Sequence, residues 1–139
     1  MPTTIDIPAA FKGAIMGGVA AGLLDVGLYF AAGAFGADFA FKHPENMGGL
    51  PELLFFQPMV NCVMAALAAT AVLWGLTKFA GENAWPAFLA VSTVVFVGMG
   101  FASVWALNDP TAIATLEIMH IPATIGIVGG MYRMGVRRS

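Results

Sequence analysis

Two carboxylates and an imidazole lie inside otherwise apolar text: Asp25 closes the stretch GAIMGGVAAGLLD, and Glu117 with His120 interrupts TAIATLEIMHIPATIGIVGG. In a bilayer such groups are costly, so each must be paired, kept neutral or turned away from lipid, and each marks a candidate site. Three chemistries fit these residue types. Asp25 and Glu117 can carry a proton or an ion with His120 as relay. His120 can serve as axial ligand to haem or a chlorophyll-type pigment. Glu117-x-x-His120 also has the local spacing of a carboxylate-bridged di-iron bundle, although such a centre needs a second pair and further carboxylates, which one chain supplies only as a symmetric dimer. Against all three stands a structural role, with Asp25 paired to His120 or sharing a proton with Glu117 to fix helix register.

The elements that must position these groups are membrane-length helices. Of 139 residues, 59% are hydrophobic and 10% charged, and the mean hydropathy is +0.83, far from the soluble range. Only helices and closed barrels satisfy their backbone in lipid, and no barrel-like alternation is visible. Residues 53–77 and 83–108 contain no Asp, Glu, Lys or Arg, and spanning takes about 20 apolar residues. With the two carboxylate-bearing runs, the spacing predicts four spans at about 11–35, 53–77, 84–107 and 111–134, with a long loop at 36–52. The expected fold is an all-α integral membrane protein, a single domain over 1–139 forming an up-and-down four-transmembrane-helix bundle.

Lys12, Lys78, Arg133, Arg137 and Arg138 fall on one side of such a bundle and Lys42 on the other, which predicts cytoplasmic N- and C-termini by the positive-inside rule. Trp74, Trp85 and Tyr132 would then mark the inner interface, and Tyr29 with Trp105 the outer one. Lys12 before an apolar run and the small residues 32–37 have the outline of a signal peptide. The run is too long and Asp6 spoils the basic leader, so the segment is expected to be retained. The loop GADFAFKHPENMGGLPE, with its Pro and Gly content and with Phe39 and Phe41, is expected to be a folded loop resting on the membrane surface. Its His43, Glu45 and Glu52 offer the types of a metal or partner site, with ordinary solvation the expected role. Asn108-Asp109-Pro110 reads as a capped helix start.

Small residues supply the packing surface. Gly13, Gly17 and Ala21 recur every four residues, Gly18 and Gly22 form a second row, and both rows lead to Asp25. Such spacing lets helix backbones approach closely. On the last helix Glu117, His120 and Thr124 share a face, and Pro122 frees the carbonyl of Ile118. Counting the helical rise from the predicted ends places Asp25, Asn61, Glu117 and His120 at one depth, roughly 8 to 15 Å inside. An intramembrane polar cluster of Asp25, Asn61, Glu117, His120 and Thr124 is therefore expected, while the third helix adds only Ser92, Thr93 and Ser103.

Several classes are disfavoured. The single cysteine, Cys62, allows no internal disulfide or cysteine metal cluster and reads as a small buried apolar residue. A net charge of −2 with scattered basic residues gives no nucleic-acid footprint. No nucleophile turn, phosphate-binding glycine loop or transporter-like repeat is found. The layout, with its small-residue first helix and MHIPA in the last, resembles bacterial four-helix membrane proteins known only as domains of unknown function. That resemblance implies a multi-pass protein of the bacterial cytoplasmic (inner) membrane. The resulting expectation is a non-enzymatic membrane subunit whose Gly/Ala-rich faces join it to itself or to other membrane subunits in the lipid bilayer. The alternatives are a small channel or proton- or ion-linked transporter using the Asp/Glu/His cluster, and a haem- or chlorophyll-binding subunit using His120.

Overall fold

The computed structural model describes residues 3–138 and contains four helices long and apolar enough to cross a membrane. They are α1 (Ile7–Ala34), α2 (Gln57–Phe79), α3 (Ala84–Ala106) and α4 (Pro110–Gly135). Two short strands, β1 (Thr3–Ile5) and β2 (Val136–Arg138), pair antiparallel with Thr4 opposite Arg137 and hold the two ends of the chain together. The side chain of Arg138, one of the basic groups in the charge asymmetry, lies outside the described set.

Helix boundaries follow from capping chemistry. The first helix begins at Ile7, ahead of the expected start near residue 11, because the Asp6 carboxylate accepts the Ala9 amide at 3.0 Å and Pro8 fits the first turn. Asp109 accepts the Ala112 amide at 2.9 Å in the same way and opens α4 at Pro110. The second helix begins at Gln57, later than residue 53, because Leu53 and Leu54 belong to the preceding loop, where the Gln57 side chain accepts the Leu54 amide at 2.6 Å. Gly81 at φ +52° reverses the chain between α2 and α3 in a left-handed conformation that side chains disfavour. The α4 helix continues through Pro122.

The tightest seam joins α1 to α4. A Cβ on Gly13 would fall on the Gly130 carbonyl, and one on Gly17 would fall on the Gly126 carbonyl, so the two backbones touch directly. The contacts pair early α1 with late α4, so the helices run antiparallel. The second small-residue row faces α2 instead: a Cβ on Gly18 would stand 3.0 Å from the Cys62 carbonyl, and one on Gly22 2.9 Å from Met59 Cα. Glycine thus permits the close approach that membrane helices use in place of a hydrophobic drive.

Two buried clusters cap this seam. Toward the chain termini, Leu73, Phe88 and Met131 are fully buried beside Ala10, Ala14, Ala66 and Ile127. Trp85 belongs to this core, 8% exposed and stacked on Phe88, so it packs inside the bundle and does not face outward. At the opposite end Phe39, Leu53, Leu107 and Ala112 form a second core. Phe39 is 4% exposed and stacks on Tyr29, so this part of the loop folds back onto the bundle. The loop is tied down where Tyr29 donates to the Leu53 carbonyl at 2.9 Å and Lys42 to the Val104 carbonyl at 2.6 Å.

The third helix stands apart from the others. Only 11% of its membrane-length stretch is buried in the chain, against 28% for α1. It shares with α2 and α4 an open groove lined mostly by Ala, Val and Phe side chains.

Candidate functional site

The small-residue rows deliver Asp25 into the bundle. Following Gly18, Ala21 and Gly22 on the protein-facing side of α1, it is 2% exposed. Its partner is Cys62, whose thiol donates to Asp25 Oδ2 at 3.3 Å. Sequence reasoning missed this role for Cys62. The available signal was the row Cys62, Ala66, Thr70 on α2, spaced by four residues and buried, which turns the cysteine toward α1. Among the described residues Asp25 makes no hydrogen bond to His120, Glu117 or Asn61, and its Oδ1 has no partner.

The expected polar cluster is therefore divided. Asp25, Asn61 and His120 line one cavity of about 140 Å³, walled otherwise by apolar groups such as Leu53, Met99, Leu116 and Met119. Asn61 is exposed and forms no hydrogen bond to the other two. His120 is half-buried, and its Nδ1 lies in the interior without a hydrogen-bond partner. Glu117, one turn away on α4, looks elsewhere: its Oε2 lies 3.1 Å from where a Cβ of Gly100 on α3 would stand, while its Oε1 is buried and unpartnered. Thr124, one turn to the other side of His120, lines the larger groove between α2, α3 and α4, which measures about 240 Å³. That groove adjoins the cavity, sharing Ala65, Met99, His120 and Ala123 with it.

Chemically, the arrangement offers one carboxyl oxygen and one imidazole nitrogen, both lacking partners, at the polar end of a long apolar cleft. Among the described residues no Lys or Arg lines either cavity. Among the described residues no three His, Cys, Asp or Glu side chains converge as a metal site. In the loop, His43 Nδ1 and Glu45 Oε1 meet at 3.3 Å with both side chains well exposed, which is the geometry of a weak surface pair. Asp109 instead ties the loop to the start of α4. Its Oδ2 accepts the amides of Asp38 at 3.1 Å and Ala112 at 2.9 Å, and these bonds hold its carboxyl below the usual carboxylate range.

Comparison with known proteins returns no matching family model, no matching curated protein and no matching solved structure. The chemistry of the site accordingly rests on the geometry above.

Proposed function

We propose that the chain is a non-enzymatic, multi-pass subunit of a bacterial cytoplasmic membrane, with both termini cytoplasmic, that associates with a second copy of itself through α3. The observation that carries this reading is the uneven cover of the helices. Gly13, Gly17, Gly18, Ala21 and Gly22, which the sequence offers as an association surface, are occupied inside the chain by α4 and α2. The least covered helix is α3. There Gly98 has nothing within 4 Å of its would-be Cβ, and Ala102, four residues on, is exposed beside Val94 and Phe101. A Gly-xxx-Ala pair on an uncovered face has the spacing that closes α1 on α4, and such a face can meet itself about a two-fold axis.

The sidedness follows from the basic residues near the paired chain ends. A transport role has less support. Beyond the cavity toward the termini, α1 and α4 meet backbone to backbone at Gly17 and Gly126, and Leu73, Phe88 and Met131 are fully buried. For a macrocyclic cofactor, His120 borders adjoining spaces of about 140 and 240 Å³, and among the described residues no second histidine lines either of them.

Native mass spectrometry from lipid nanodiscs tests the reading. The wild type should appear as a dimer, and Gly98→Ile should shift it to monomer without loss of helicity. A wild type that is monomeric in nanodiscs and several mild detergents would remove the basis for the proposal.

A further inference from the structure

We infer that the cleft between α2, α3 and α4 binds a lipophilic cation, with its ammonium head at Asp25 and His120 and its apolar body along the groove beside α3. On α3 the groove borders the surface proposed for the dimer, since Val91 and Val95 of its lining each stand two helical turns before Gly98 and Ala102.

The polar end sets the head. Asp25 is 2% exposed, and one of its carboxyl oxygens has a hydrogen-bond partner while the other has none. That residue lines the cavity together with His120, whose buried Nδ1 is equally unpartnered. A carboxylate held in apolar surroundings calls for a positive charge or a donor, and no Lys or Arg among the lining residues supplies one. An ammonium group provides both, bringing a positive charge and N–H donors to a cavity that Asp25, His120 and Asn61 line together. A phospholipid headgroup fits less well, because its phosphate would enter a lining without a basic residue.

The apolar end sets the body. Past Ala65 and Met99 the cleft widens into the groove of about 240 Å³, where Phe88, Phe96, Val91 and Val95 provide apolar and aromatic walls. Alanines at 65, 68 and 69 keep the α2 side low, which leaves room between α2 and α3. A molecule with an aryl or alkyl body and a single amine matches this order of surfaces.

The test uses the full chain in phosphatidylcholine nanodiscs and equilibrium dialysis of 4-phenylbutylamine, with 4-phenylbutanol as neutral counterpart and empty discs to subtract partition. Saturable amine binding is expected, about tenfold or more tighter than binding of the alcohol. Asp25→Asn should weaken the amine by a similar factor and leave the alcohol unaffected. Ala65→Phe, which fills the cleft from an exposed position and leaves Asp25 in place, should abolish saturable binding of both. Equal affinity for amine and alcohol overturns the proposal, as does amine uptake no greater than that of empty discs. Should Asp25→Asn fail to fold, the wild-type amine-to-alcohol ratio and Ala65→Phe decide the matter.

Discussion

The Cys62 thiol donates to Oδ2 of Asp25 across 3.3 Å where α1 meets α2, and both side chains are buried. This bond is the one hydrogen bond that the Asp25 carboxyl makes among the described residues. The first helix is therefore joined to the second by a polar contact at the level where the glycine rows end.

Removing the donor should be costly. Cys62→Ala leaves the carboxyl with no partner and is expected to lose about 1 to 3 kcal/mol, the usual penalty for stranding a buried polar group. Cys62→Ser retains an O–H donor and should lose less. Unfolding in mixed detergent micelles, followed by circular dichroism, ranks the two, and equal losses would mean that the hydrogen bond contributes nothing.

Glycines of α1 and α4 predict opposite outcomes according to whether they lie inside or outside the seam. Gly17→Val must part α1 from α4, because its Cβ would overlap the Gly126 carbonyl, and should lose about 1 to 3 kcal/mol or more. Gly129 has open space around its would-be Cβ, so Gly129→Ala should be neutral or gain up to about 1 kcal/mol through helix propensity. The same unfolding assay separates them, and a tolerated Gly17→Val would contradict the backbone contact.

Asp109 predicts a pH response of the loop. Its folded carboxyl titrates below the ordinary range because the Asp38 and Ala112 amides donate to it. A depressed folded value means that the stabilisation is complete above the unfolded value, near 3.9, and is lost as pH falls through the folded one. Amide hydrogen exchange at Asp38 should therefore accelerate as pH drops below about 4, beyond the intrinsic trend. Asp109→Asn should abolish that pH dependence; an unchanged profile in the variant would assign it to another group.

Asn61 and Glu117 should behave as separate residues. Asn61 is exposed and unbonded to Asp25, so Asn61→Leu should alter stability by less than about 0.5 kcal/mol. Glu117→Gln replaces a carboxyl that has a buried, unpartnered oxygen with a neutral amide of the same shape and should leave the melting temperature unchanged or raised. A double variant with Asp25→Asn should be additive for Glu117→Gln, since the two carboxyls face different helices. Strong coupling between them would restore the single shared cluster.

Composition and the lengths of the apolar runs, two of them charge-free and two carrying a carboxylate, determined that there are four membrane-length helices, because backbone satisfaction in lipid leaves few options for such a sequence. Asp109-Pro110 showed where α4 begins, since capping is a local interaction. The four-residue spacing of Gly13, Gly17, Gly18 and Gly22 showed that α1 has a close-packing side. What spacing could not show is which helix fills which row, because a helix displays its faces without its rotation against a neighbour. Only the tertiary structure decided that the first row meets Gly126 and Gly130 of α4 and the second meets Met59, Cys62 and Ala66 of α2. Rotation likewise separated groups that residue counting puts at one depth, directing Glu117 to Gly100 on α3 and leaving Asn61 at the rim. It also brought Cys62, a residue with no polar signature of its own, onto Asp25. Depth comes from counting residues along one chain, whereas contact depends on azimuth, and azimuth is set only when all four helices pack together.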